Sequence, residues 1–287
     1  MIGGGNGLPD LEFIQGLYQR DNRDKTGLFL VEGVRFLVSA INVGAEIVFI
    51  ILCPELAIGP FAQRLIDRKK EKGIPVLYLN ERQFRLISYH KEPQQGVMAV
   101  LRQKWAPLPN YRRIRKHLWV AADKIHSPGN LGTIIRTAQA AGCRGFILFG
   151  DEIDPYDPQV VRATMGAVFY QKFVRSNKQS FLQWKKQTQC RVIGACCQAE
   201  KDFRTFPYDD LTVLMLGNER KGLSELQKDC CDQLVRIPMK GGIDSLNLGV
   251  AASILLYEFY NRRHPLAGCY ENSHQDTRAQ SYTKGFF

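Results

Sequence analysis

From Leu28 onward, apolar runs of strand length alternate with stretches that carry apolar side chains every three or four residues, the pattern of strands alternating with helices. LFLVEG, IVFIIL, PVLYL and GVMAVLR read as strands, with helices over VRFLVSAINVG, FAQRLIDRKKEKG and ERQFRLIS between them. QKWAPLPNYRRIRK breaks the pattern with two prolines and a basic cluster. LWVAA, GFILFG, RVIGACC, TVLMLG and QLVRIP then read as further strands, and helices are predicted over about 131–141, 158–166, 179–188 and 246–261. These spacings predict two α/β units with largely parallel sheets, over 1–104 and 117–264, joined by a linker at 105–116. The glycine-rich start and the polar, aperiodic residues 265–287 read as flexible ends.

A length of 287 residues suits two domains of ordinary size. No apolar run approaches the roughly 18 residues of a membrane span, and no basic flank leads into an apolar stretch near the start, so a soluble, cytoplasmic protein is expected. Lys and Arg number 39 against 28 Asp and Glu, which favours a polyanionic partner such as nucleic acid. Residues 1–116 hold 18 of these bases and 11 of the acids, so the first unit is the better candidate for gripping phosphate. Eight cysteines without a Cys-x-x-Cys pair and five scattered histidines predict reduced thiols and no metal site.

In open α/β sheets ligands bind beyond the carboxyl ends of the strands, so the loops that follow strands carry most interest. After LWVAA comes DKIHSPGNLGTIIRTAQAAG. Asn130 is placed to cap its helix and Gly142 to end it. Leu131, Ile134, Ile135 and Ala138 share an inward face, and Arg136 lies on another with Thr133 and Ala140. After TVLMLG comes NERKG, where Gly217 permits close approach to the backbone and Glu219 is expected to open a helix as a favourable N-terminal acid. After QLVRIP comes MKGGIDSLNLG, where Ser245 and Asn247 put short hydrogen-bonding groups at the start of the last helix. Each of these residues also has an ordinary structural reading, as a cap or a solvated charge.

Taken together and in this order, Asn–x5–Arg, Gly–x–Glu–x–x–Gly and Ile-Pro-Met followed by Ser-Leu-Asn resemble the three signature motifs of the SpoU/TrmH branch of the SPOUT methyltransferases. The likeness spans about 117–262. The first unit is similar in pattern to the ribosomal-protein-like RNA-binding domain that precedes the catalytic domain in many of these enzymes. The resemblance implies an α/β fold with a trefoil-knotted catalytic domain on a parallel sheet. It further implies S-adenosylmethionine as methyl donor, a homodimer paired through the knotted domains, and 2′-O-methylation of RNA ribose.

By the same resemblance, Arg136 acts at the 2′-hydroxyl, Asn130 orients the arginine or the ribose, and Glu219 fixes the loop and the arginine. Ser245 and Asn247 shape the site near the methyl donor. Leu216, Gly217, Asn218, Ile237, Met239 and Leu246, with Ser245 and Asn247, line the cofactor site. Arg35, Arg112, Arg113 and Arg162 are the candidate RNA contacts. An arginine stays protonated at a reference pKa of about 12.5 or more, so electrostatic stabilisation of the developing alkoxide is favoured over a base role. The appended first domain favours 23S ribosomal RNA as substrate, with tRNA the alternative. A noncatalytic RNA-binding protein that kept the fold is the reading from another class. A dinucleotide-binding enzyme is disfavoured, because no Gly-x-Gly-x-x-Gly follows a first strand.

Overall fold

The computed structural model describes residues 9–90, 92–93, 95–109, 117–208 and 211–264. The first domain runs α1 (Leu11–Gly16), α2 (Arg20–Thr26), β1 (Leu28–Glu32), α3 (Val34–Asn42), β2 (Ile47–Leu52), α4 (Pro60–Glu71), β3 (Val76–Tyr78), α5 (Glu81–Ile87) and β4 (Val97–Arg102). Its sheet has the order β1-β4-β2-β3. The sheet is mixed rather than largely parallel, because β4 runs antiparallel to both β1 and β2 while β2 and β3 are parallel. VMAVL occupies a central strand covered on both faces, and such a run is continuously apolar in either direction. Strand direction was therefore not written in it.

Alternate residues of β1 serve different cores. Leu28 and Leu30 face α1 and α5, where Ile14, Leu17, Phe84 and Ile87 are buried, whereas Phe29 and Val31 belong to a core continuous with the second domain. The helix α1, unassigned from the sequence, is capped by Asp10, whose carboxylate accepts the Phe13 amide.

The second domain contains β5 (His117–Asp123), α6 (Pro128–Ala140), β6 (Gly145–Phe149), α7 (Pro158–Ala163), β7 (Lys172–Ser176), α8 (Lys178–Thr188), β8 (Arg191–Ala195), β9 (Leu211–Leu216), α9 (Glu225–Lys228), β10 (Gln233–Val235) and α10 (Leu248–Arg263). All six strands are parallel, in the order β10-β8-β9-β5-β6-β7. From β5 the chain builds outward through β6 to β7, then crosses to β8 on the other side. It returns to lay β9 against β5. The ends of β5 and β9 thus form the point where strand order reverses, and the register pairs Ala122 with Leu216 there.

The domains are locked together. The Arg23 side chain, only 1% exposed, donates to Asp154 at 2.7 Å and to the Leu17 and Tyr18 carbonyls. Breaking such a buried pair costs about 3–5 kcal/mol. Arg175 pairs with Asp24 at 2.9 Å, and the Phe29 and Tyr156 rings meet at 4.7 Å. The described part of the expected linker is not a free tether. Trp105 bridges to Phe173, the Ala106 amide donates to the Phe173 carbonyl, and the Trp184 indole donates to the Pro109 carbonyl. No helix among the described residues is long and apolar enough to cross a membrane.

Candidate active site

Three loops meet at the reversal point. In the first, Ser127 rather than Asn130 caps α6, its hydroxyl accepting the Asn130 amide at 3.3 Å. Pro128, with its fixed φ and missing N–H, begins the helix earlier than the apolar pattern indicated. Asn130 therefore sits inside the first turn, where its side chain is available for other bonds.

In the second loop, Asn218 and Gly222 exchange backbone hydrogen bonds of 2.9 Å each way, closing a tight turn. The Asn218 side chain accepts the Arg220 and Lys221 amides and donates to the Lys124 carbonyl. Gly217 permits a close approach, as expected, but the approaching group belongs to the chain itself. A Cβ at Gly217 would collide with the Gly222 carbonyl.

Glu219 does not open a helix. It lies in this turn, and its carboxylate reaches across to accept the Ser127 amide at 2.9 Å, the His126 amide at 3.2 Å and the Asn130 side chain at 3.4 Å. An acid at a helix N-terminus was the right physics applied to the wrong helix, since the amides it satisfies lead into α6. Burial pushes the carboxyl pKa up, but the backbone donors, with that of Ser127 foremost, outweigh it and hold the pKa below the ordinary value.

The third loop joins through Asn247. Its Oδ1 accepts the Gly249 and Val250 amides, capping α10, and its Nδ2 donates to Asn130 Oδ1 at 2.9 Å. Asn130 is thus the hub, donating to Glu219 and accepting from Asn247. Below it α6 and α10 are closely packed. Thr137 and Ser253 share a hydroxyl–hydroxyl bond of 3.1 Å, and a Cβ on Gly249 would lie 3.3 Å from the Thr133 methyl.

The other expected residues stand apart from this network. Arg136 is exposed and forms no hydrogen bond or ion pair with a described residue, and the bonds of the Glu219 carboxylate go to His126, Ser127 and Asn130. Ser245 is likewise exposed and unbonded. Leu216 is buried at the end of β9, and its carbonyl accepts the Gln227 side chain at 3.1 Å. Ile237, Met239 and Leu246 are half-buried. From Ile237 to Leu246 no backbone N–H or C=O is bonded to a described residue, and Gly241 and Gly242 take φ values of 107° and 84°.

Arg35 and Arg162 lie at a distance from the hub, lining a cleft of about 1000 Å³ between the domains. Arg112 and Arg113 lie outside the described residues. Two participants escaped the sequence reading. Ser127 was signalled by its place just before a proline at a helix start. Tyr89, beside Arg162 in the cleft, had no local signal.

Comparison with known proteins places this arrangement. The family model described as the SpoU rRNA Methylase family matches residues 117–257, and one described as an MRM3-like substrate binding domain matches residues 9–99. This chain is similar to the 23S rRNA (uridine(2479)-2'-O)-methyltransferase of Streptomyces viridochromogenes, with 30% identity over 86% of this chain and 87% of that protein. It is 29% identical to the 23S rRNA (guanosine(2553)-2'-O)-methyltransferase RlmP of Bacillus subtilis over 84% of this chain and 92% of that protein. A crystal structure of an AdoMet-bound rRNA methyltransferase from Sinorhizobium meliloti superposes with a TM-score of 0.80 at 34% identity, covering 92% of this chain and 98% of that one. On the strength of these matches, the chain belongs to the SpoU/TrmH family of RNA 2′-O-methyltransferases.

Proposed function

We propose that this protein methylates a ribose 2′-hydroxyl of 23S ribosomal RNA with S-adenosylmethionine as donor, acting as a homodimer in the cytoplasm. The observation that carries the reading is the hydrogen-bonded hub of Glu219, Asn130 and Asn247 at the strand-order reversal, beside a loop whose backbone makes no hydrogen bond to a described residue. That loop suits the donor. Amides and carbonyls between Ile237 and Leu246 that bond no described residue, next to half-buried Ile237, Met239 and Leu246, provide an apolar lining with backbone hydrogen bonds for an adenosine. Leu216, Gly217 and Asn218, at and after the end of β9, and Ser245 and Asn247, before α10, are assigned to the same cofactor site. When bound, the sulfonium supplies an activated methyl group.

The protein then has to place the ribose and support charge on its oxygen. Asn130, held from both sides, offers a fixed polar contact, so little reorganisation is needed once RNA arrives. Arg136, with no partner among the described residues, is assigned to stabilise the developing alkoxide. Arg35, Arg112, Arg113 and Arg162 are assigned to phosphate contacts. Val250 and Tyr257, 49% and 45% exposed, flank half-buried Ile254 on α10 and form an apolar stripe that a second copy would cover.

The test is transfer of tritiated methyl groups to total bacterial RNA separated by size, alongside calorimetric binding of S-adenosylhomocysteine. Label in large ribosomal RNA is expected. Label confined to tRNA would overturn the substrate, and absence of both binding and transfer would sink the enzyme reading. Arg136→Ala should lower turnover by at least about 100-fold, the scale of losing one electrostatic stabiliser, with homologue binding unchanged.

A further inference from the structure

The cleft between the domains is built more deliberately than a gap between two packed bodies requires. One wall is the turn after α5, carrying Tyr89 and His90, a second is the start of α3 with Gly33 and Arg35, and a third is the end of α7 with Arg162 and Met165. We propose that this cleft receives an unpaired nucleobase of the RNA substrate, with Tyr89 as the stacking surface and Arg35 and Arg162 as the flanking phosphate contacts. This rests on the reading of the protein as an RNA methyltransferase and adds where, and in what form, the RNA is held.

Tyr89 is 45% exposed, yet it is not loose. Its amide donates to Glu32 at 3.0 Å, the Ser88 hydroxyl donates to the same carboxylate at 2.6 Å, and the His90 amide donates to the Ser88 hydroxyl at 3.0 Å. One face of its ring is stacked, offset, on Tyr18 with centroids 6.3 Å apart and planes at 29°, leaving the other face for a base, and Tyr18 is itself fixed by a hydroxyl bond to the Ile87 carbonyl. An aromatic ring held rigid while exposed is what base stacking needs, since little conformational freedom is left to lose on binding.

The charges agree with this. The Arg162 guanidinium lies 5.7 Å from the Tyr89 ring centre, and neither it nor Arg35 is paired with a carboxylate among the described residues. Glu32 is committed to the Ser88–Tyr89 turn. Glu92 also borders the cleft, so the lining is mixed rather than uniformly basic, which suits a base with flanking phosphates better than a bare phosphate track. Gln95 accepts the Val34 amide through Oε1, leaving its side-chain NH2 as a donor for a base edge.

The helix that carries Arg162 is also packed on the helix that carries Asn130. Ala163, next to Arg162, packs on Gly132 of α6 so closely that a Cβ on that glycine would collide with it, while Asn130, two residues earlier, points from nearly the opposite face of that helix. The base held by Tyr89 is thus a nucleotide other than the reacting one, bound where the first domain meets α7. Such stacking on splayed bases is how single-stranded RNA is ordinarily recognised.

The experiment uses the full chain with short oligouridine carrying one 2-aminopurine, and RNA duplex of equal length as control. Wild type and Tyr89→Phe should quench the 2-aminopurine and bind alike, while Tyr89→Ala should lose the quench and bind roughly 10-fold more weakly. Arg162→Ala should weaken binding and lower the salt slope by about one unit. Unchanged quenching in Tyr89→Ala, or equal losses on single strand and duplex, would overturn the pocket. Binding is read without methyl transfer, so an inactive wild type that still shows Tyr89-dependent quenching would refute the enzymatic reading and uphold the pocket. Bound S-adenosylhomocysteine, unaffected in every variant, reports that the catalytic domain is folded.

Discussion

The two halves of the candidate site are made differently. On one side, the turn at 218–222 and the entry to α6 spend their polar groups on each other. Asn218 makes three side-chain bonds to backbone, and Glu219 accepts three donors. On the other side, the stretch from Ile237 to Leu246 makes no backbone bond to a described residue. Both follow the carboxyl ends of strands of one parallel sheet, so the contrast comes from their sequences. ERKG closes a turn around a short-range amide network, whereas MKGGIDS has paired glycines and, among the described residues, no side chain bonded to its backbone. Under the proposed function, the rigid half positions the ribose and the open half orders around the donor.

The largest expected effect separates the halves by substitution. Gly217→Ala drives a Cβ into the Gly222 carbonyl, and overpacking against backbone should cost about 3 kcal/mol and abolish methyl transfer. Gly241→Ala places a side chain at φ 107° in open space, where only the backbone penalty of about 1–2 kcal/mol applies. Urea unfolding of both variants measures the difference, and equal losses would erase the distinction.

A smaller effect should appear in hydrogen exchange. The amides of Ser127, Arg220, Lys221 and Gly222 are bonded and should exchange slowly with or without ligand. Those between Met239 and Leu246 should exchange fast and become protected about 10-fold or more by saturating S-adenosylhomocysteine. Slow exchange of that loop in the free protein would break the comparison.

Much of this architecture was legible in the sequence. The strand-end loops in the second domain carry chemically distinctive residues at short spacings, and Asn130, Glu219 and Asn247 are brought together by the fold. Their individual bonds were not legible. Nothing local says that Glu219 reaches back to α6 or that Ser127 takes the capping role, because both depend on β5 and β9 being neighbours. The same holds for β7, a short edge strand whose Lys172 and Arg175 interrupt its apolar run, and for Trp105, whose place beside Phe173 turns an apparent linker into part of the sheet edge. The direction of β4 is the clearest case. A run buried on both faces states that it is central, and nothing more.

The subtlest expected effect is a pH dependence confined to the rigid half. The folded-state pKa of Glu219 lies below its ordinary value of 4.5, so its ionised form is the one the fold prefers. The stability it contributes is fully present above about 4.5 and is lost as pH falls through the depressed folded value. At neutral pH the carboxylate should show no titration in the rate. Glu219 is half-buried, and solvent screening limits the contribution to about 1 kcal/mol. Wild type and Glu219→Gln should therefore unfold at similar urea concentrations at strongly acidic pH, diverge as pH rises toward 4.5, and run parallel above it. Hydrogen exchange gives the matching local signature: acid should loosen the His126 and Ser127 amides, after allowance for intrinsic exchange rates, while the 239–246 amides, which bond no described residue, stay as they were. Acid would then make the rigid half resemble the open one. A constant gap between wild type and variant across the acidic range would mean that packing, rather than the ionised carboxylate, holds the turn.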